Sequence, residues 1–245
     1  MTRVAVSESV LRWALERSGK AAELKQRFAK LSEWLEGISR PTLRQLEELA
    51  RATATPLGYF FLAEPPEERL PIPHFRTLGD DSPRRPSPDL LETVQTMELR
   101  QAWMREYLIE QGQEPLPFVR SAEIQDEPRQ VAKEIRRVLG LVETWAVEKS
   151  TWEAALRELI RRIEEAGILV VVNGVVGNNN RRKLDPTEFR GFVLVDEYAP
   201  LVFVNGADGK AAQIFTLAHE LAHVWFGRSA AFDLREFRPA DDATE

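Results

Sequence analysis

The sequence contains no cysteine and only three histidines among its 245 residues. Without cysteine, a disulfide framework and thiolate chemistry are excluded, and a transition-metal site must use histidine, aspartate or glutamate ligands. Apolar runs such as 168–172 are far shorter than the ~20 residues that cross a bilayer. Arg3, Glu8 and Arg12 interrupt the N-terminus where a signal peptide has its apolar stretch. We therefore expect a cytoplasmic protein with no membrane partner.

Charge of neither sign dominates the chain. The 33 basic and 39 acidic residues give a net charge of −6, and 43% of the residues are hydrophobic. This balance is typical of a globular protein, and the length suffices for two domains with their own cores. A negative net charge argues against indiscriminate nucleic-acid binding by the whole chain, although one basic face remains compatible with it.

Proline divides the sequence into two parts. Seven of the 15 prolines lie within 63–88, which predicts an extended linker between a helical domain at 1–62 and a second domain at 89–245. In the first domain, helical spacing follows Ser7 and Thr42, which are the expected N-caps. The helices predicted there cover 10–15, 21–28, 31–35, 43–52 and 57–62.

The second part combines helices with a small sheet. Helices are predicted at 90–111, 129–139, 152–166 and 211–226, and strands at 168–172, 192–195 and 201–204. The short segment 196–200 favours an antiparallel hairpin, whereas 174 and 177–183 are predicted to form a polar loop. The fold class is therefore α+β: an all-α N-terminal module, then a domain with a small, mostly antiparallel sheet and a final helix. Trp103 and Tyr107 on the long helix predict core or interface packing.

The final helix carries the pattern His-Glu-x-x-His at His219, Glu220 and His223. Residues i and i+4 share one helix face, so both imidazoles can bind one metal ion, for which Zn²⁺ is expected. Glu220 lies beside them and can accept a proton from a water that the metal acidifies. The alternative is that the two histidines only pack or face solvent.

A catalytic zinc needs a third protein ligand. His74 lies in the linker, where a packing or solvent-facing role is expected. In metallopeptidases with two histidines in this pattern, a glutamate roughly twenty residues further on closes the site. Glu245, the final residue, fits this spacing best, and Asp233 and Glu236 are closer alternatives. These acids, together with Asp241 and Asp242, can also be solvated tail charges.

Several segments together resemble the ImmA/IrrE family of metallopeptidases, preceded by an Xre-like helix-turn-helix region. They are 188–192, 199–205 and 215–223, with 40–47, 56–61 and 73–76 in front. The resemblance implies a zincin-like domain with His219 and His223 as zinc ligands and Glu220 as the general base. It also implies cleavage of a protein regulator, such as a DNA-bound repressor or a toxin-antitoxin partner, in transcriptional or stress regulation. Family members continue beyond such a glutamate, so a chain truncated at Glu245 is expected.

The N-terminal module departs from a DNA-reading helix-turn-helix. Its second helix, at 31–35, is flanked by Lys30 and carries Glu33, with Glu36 next to it, whereas a recognition helix is basic and polar. The turn before it is also short. Residues 1–55 carry a small positive excess, which is consistent with weak phosphate contact and poor base recognition. Weak DNA binding, protein docking and a purely structural role all remain open.

Three functions are therefore compared. The first is a zinc-dependent endopeptidase that cleaves a protein regulator, with Asn205 at the end of a strand either orienting substrate or forming a turn. The second is a non-catalytic regulatory or antitoxin-like binding protein. The third is a DNA-binding transcription factor, which requires a steep dependence of affinity on salt.

Overall fold

The computed structural model describes residues 3–68 and 86–227, and the backbone of 230–232. These residues form two compact units, one made of 3–68 with 86–91 and the other of 92–227 with 230–232. The predicted boundaries at 62 and 89 differ slightly from this division, because 86–91 group with the N-terminal residues. None of the described helices is long and apolar enough to cross a bilayer.

The N-terminal unit consists of short helices around one apolar core. They are α1 (Glu8–Ser18), α2 (Ala21–Arg27), α3 (Leu31–Leu35), α4 (Leu43–Ala52) and a 3-10 helix (Leu57–Phe61). Leu11, Leu24, Leu31, Leu46 and Phe60 are among the side chains that meet in this core, and each is at most 1% exposed. The helical positions inferred from sequence periodicity are therefore confirmed for this unit.

The two expected N-caps behave differently. Thr42 accepts a hydrogen bond from the backbone N–H of Gln45, whose side chain in turn accepts one from the N–H of Thr42. This reciprocal pair is a capping box, which stabilises the first turn of α4. Ser7 precedes α1 with an extended backbone, but its hydroxyl lies 2.8 Å from that of Ser9 and caps no helical N–H.

Four α-helices follow in the rest of the described chain. They are α5 (Pro88–Glu110), α6 (Pro128–Val138), α7 (Trp152–Glu165) and α8 (Lys210–Phe226), each within two residues of its predicted bounds. On α5, the rings of Trp103 and Tyr107 stack with their centroids 5.8 Å apart, and 64% of Trp103 is exposed. These two side chains therefore do not belong to the core, and their role in an interface stays a prediction.

A small sheet supports α8. Its strands are β1 (Leu169–Asn173), β4 (Gly191–Leu194), β5 (Leu201–Asn205) and β6 (Ala230–Phe232), in the spatial order β1-β5-β4-β6. The pairs β4–β5 and β4–β6 are antiparallel, whereas β1 runs parallel to β5. The mixed α+β class with a small, mostly antiparallel sheet is therefore confirmed. Side chains of α7 and α8 pack against it, including Leu159, Ile163, Leu217 and Leu221.

The predicted polar loop after β1 is wrong, because this segment is a hairpin. Strands β2 (Val175–Val176) and β3 (Asn179–Lys183) pair antiparallel around Gly177 and Asn178. Both turn residues have positive φ, 52° and 61°, as a two-residue type I′ turn requires. The Gly-Asn pair after two valines is a recognised hairpin signal, which the charged residues 181–183 obscured.

Candidate metal-binding and catalytic site

The buried polar side chains of α8 lie on one face of the helix. Gln213, Thr216 and Glu220 are fully buried, and only 3% of His223 is exposed. Their spacing of three, four and three residues places them in one row along the helix, and α8 packs against β4 and β5. The buried side of α8 therefore carries a polar row beside its apolar residues Leu217 and Leu221, which is unusual for a core helix.

Gly191 at the start of β4 allows this close approach. A Cβ atom there would lie 2.5 Å from Cγ2 of Thr216, 2.7 Å from the carbonyl oxygen of Phe203 and 3.5 Å from Cγ of Glu220. Only a residue without a side chain fits between α8 and the sheet at this point. Gly191 therefore allows Thr216, one turn before Glu220, to lie close against the strand.

His219 lies beside this row on α8 and meets His223, the last residue of the row. Their Nε2 atoms are 3.1 Å apart, and the ring centroids are 4.9 Å apart at an interplanar angle of 67°. Two nitrogens bound tetrahedrally to one zinc ion at ordinary Zn–N distances lie about 3.3 Å apart. The observed separation is thus close to what a shared zinc ion requires, and the residues fit the metal.

The protonation state of His219 also suits a metal ligand. Burial, and to a smaller extent the neighbouring His223, lower the pKa of His219 to about 4. At neutral pH its imidazole is therefore uncharged, which is the form that binds metal. To bind one ion, each ring must present the lone pair of Nε2 and carry its proton on Nδ1.

Both ends of α8 are attached to the rest of the second unit. The amide of Gln213 donates to the carbonyl oxygens of Gly206 and Asp208 at 3.2 and 2.6 Å, which fixes the first turn. At the other end, the backbone N–H groups of Arg120 and Ala122 donate to the last carbonyls of the helix. The last carbonyl groups of a helix have no hydrogen-bond donor within the helix. The segment 120–122 provides donors for two of them and so holds this end of α8 in place.

The side chain of Asn205 is hydrogen-bonded to the backbone of neighbouring segments. It is fully buried at the end of β5, where its side-chain amide donates to the carbonyl oxygen of Phe189 at 3.1 Å. Its side-chain oxygen accepts from the N–H of Ala207 at 3.0 Å. These bonds favour the turn role that the sequence left open, and substrate binding by Asn205 stays a prediction without a supporting contact.

The third ligand is not located. Within the described ranges, no group of three His, Asp or Glu side chains is placed to hold one metal ion. Glu245, Asp233 and Glu236 lie outside these ranges, as do Asp241, Asp242 and His74. The assignment of Glu245 as a zinc ligand stays a prediction.

In the N-terminal unit, α3 offers little to a DNA groove. Leu31, Trp34 and Leu35 are buried, which leaves Ser32 and Glu33 as the more accessible residues of this five-residue helix. A recognition helix needs basic or polar side chains that reach base edges. Neither the helix-turn-helix assignment nor weak DNA binding through residues 1–55 gains support from this geometry, and both stay predictions.

Sequence reasoning found the three motif residues but missed those that position them. Gly191, Thr216 and Gln213 carry no spacing pattern that marks them, because their role arises from contact between distant segments. Gly191 lies within 188–192, one of the segments that resemble the ImmA/IrrE family, and that was the available signal.

Part of the chain matches a known protein family. Residues 163–244 match the Peptidase_M78 family, described as an IrrE N-terminal-like domain. The matched range is about a third of the chain and contains the sheet and α8. No curated protein and no solved structure matches the chain. The match supports a relationship of this part of the chain to the ImmA/IrrE family, and with it a function of the metallopeptidase type.

Proposed function

We propose that the protein is a zinc-dependent endopeptidase that cleaves a protein regulator. The observation that carries this proposal is the pair of Nε2 atoms of His219 and His223, 3.1 Å apart on the helix that also buries Glu220. The family match over 163–244 supports the peptidase class independently of this geometry.

His219 and His223 would hold the zinc ion, with Glu245 as the candidate for the third ligand. A bound zinc ion supplies a Lewis acid, which acidifies water and polarises a carbonyl group. Because burial keeps His219 neutral at pH 7, no proton has to leave this ring before it binds metal.

Glu220 would act as the general base and then as the general acid. Its carboxylate accepts the proton of the attacking water and donates it to the amine that leaves. Its side chain is fully buried on α8 and its Cγ would lie 3.5 Å from a Cβ at Gly191, so Glu220 lies next to the first residue of β4.

The substrate would add to the sheet as an extended strand. Strand β6 pairs with β4 at Gly191, directly beside the Glu220 side chain, and it is the outer strand at this side of the described sheet. An exposed sheet edge binds an extended peptide through backbone hydrogen bonds with little dependence on sequence. A flexible segment of a repressor or of a toxin-antitoxin partner is a suitable substrate for such an edge.

The test combines metal content with cleavage in the full-length protein. We expect one zinc ion per chain in the wild type and in Glu220→Gln, and less than a tenth of that in His219→Ala. His74→Ala serves as the matched control, because it removes a histidine outside the motif and should keep its zinc. Cleavage of purified regulators encoded beside the protein should occur with the wild type and be lost in Glu220→Gln.

Two results would contradict this proposal in different ways. Equal zinc content in the wild type and His219→Ala would show that the metal site lies elsewhere. Regulators that bind the wild type and Glu220→Gln equally, and that neither form cleaves, would indicate the non-catalytic binding protein instead.

A further inference from the structure

Thr216 has a buried hydroxyl group that the fold itself does not use. The residue is fully buried in α8, and its Oγ1 makes no hydrogen bond with any residue in the described part of the chain. A threonine in a helix normally donates to the carbonyl one turn earlier. Thr53 does so at the end of α4, where its hydroxyl lies 2.9 Å from the carbonyl oxygen of Leu49.

A hydroxyl group buried without a partner destabilises a protein, so its retention calls for an explanation. Thr216 is the only residue of α8 with a side-chain hydroxyl. It lies one turn before Glu220, at the i,i+4 spacing that brings side chains together on a helix surface. Both side chains also approach the same glycine, since a Cβ on Gly191 would meet Cγ2 of Thr216 and Cγ of Glu220.

We propose that Thr216 is the positioning residue of Glu220. In the zinc-loaded protein its hydroxyl donates a hydrogen bond to the Glu220 carboxylate and holds it in the orientation that accepts a proton from water. A buried carboxylate requires such donors, and hydrogen bonds to a charged acceptor are the stronger ones. This inference rests on the proposed function only in giving Glu220 the role of the base.

The contact is tested without any substrate by a double-mutant cycle on the zinc-loaded full chain. Thr216→Val, Glu220→Ala and the double variant are compared with the wild type by thermal unfolding. With Glu220 present, Thr216→Val should lower Tm, because a charged hydrogen bond is lost. With Glu220→Ala, the same change should leave Tm unchanged or raise it, because valine then replaces an unbonded hydroxyl. An equal shift in both backgrounds would overturn the proposal.

Thr216→Ser and Thr53→Val are the controls. Serine keeps the hydroxyl and should restore the coupling with Glu220, whereas Thr53→Val should lower Tm equally with and without Glu220. If Thr216→Ser shows no more coupling with Glu220 than Thr216→Val does, the coupling does not depend on the hydroxyl and the proposal is wrong.

Cleavage provides the second measurement. Thr216→Val should lower kcat on the order of tenfold to hundredfold and leave KM and zinc content unchanged, and Thr216→Ser should stay within about threefold of the wild type. A wild type that cleaves no regulator would refute the proposed function, while the unfolding cycle would still decide whether Thr216 and Glu220 interact.

Discussion

Gly191→Ala tests whether the close contact between α8 and the sheet determines the structure of the site. The added Cβ would lie 2.5 Å from Cγ2 of Thr216 and 2.7 Å from the carbonyl oxygen of Phe203. Carbon atoms in good contact are about 3.5–4.0 Å apart, so α8 or β4 must move by about 1 Å. Strain of this kind in a packed core typically costs about 1–3 kcal/mol.

The expected result is a lower melting temperature. For a chain of this size, 1 kcal/mol corresponds to about 2–4 °C, so Gly191→Ala should lower Tm by about 2–12 °C in circular dichroism. A displacement of about 1 Å at Glu220 should also reduce cleavage by on the order of a hundredfold. The double variant Gly191→Ala with Thr216→Ser lacks Cγ2 and should therefore recover part of the lost stability. The recovery should be incomplete, because the clash with the carbonyl oxygen of Phe203 remains.

Gly209→Ser is the matched control. Gly209 precedes the same helix, and a Cβ there meets nothing within 4 Å. Serine is also a favourable N-cap, so this variant should keep or slightly raise Tm. A Gly191→Ala protein with the Tm of the wild type would refute the reasoning, because the helix could then be displaced from the strand without cost.

Two further predictions concern helices away from the site. Thr42→Ala should destabilise the N-terminal unit by about 1 kcal/mol in chemical denaturation, because it removes the capping box of α4, whereas Ser7→Ala should have little effect since Ser7 caps no N–H. Hydrogen bonds from Arg161 and then Arg162 lower the pKa of Glu158 to about 2. A lowered pKa stabilises the fold above the ordinary glutamate pKa and loses this effect as pH falls towards 2, so Glu158→Gln should be less stable than the wild type at pH 7 and equal to it near pH 2. A difference between these two proteins that does not change with pH would contradict the assigned cause.

The helices could be predicted from the sequence because their signals are local. Apolar spacing and the cap Thr42 lie within or next to the segments that they define. The helices came out within about two residues of their observed bounds, except that α1 ends three residues later than predicted. The same holds for His219 and His223, whose common helix face follows from a spacing of four residues, and for Glu220, which lies three residues before His223.

The parallel pairing of β1 with β5 could not be predicted in this way. Both strands were expected from their apolar character, but β2, β3 and β4 lie between them in the sequence, and nothing within either strand specifies its neighbour in the sheet. The β2–β3 hairpin was missed for a different reason, because the charge of 181–183 outweighed the turn signal of Gly177 and Asn178.

The sequence by itself predicts His219 and His223 as metal ligands and Glu220 as the group that transfers a proton. Only the tertiary structure decided that Gly191 lies against α8, that Asn205 is used in a turn, and that Thr216 keeps a buried hydroxyl near Glu220. The physical reason is the separation in sequence between the residues that interact. A helix places residues four apart on one face whatever surrounds it, whereas burial and close packing arise when β4 and α8, separated by a further strand, are brought together.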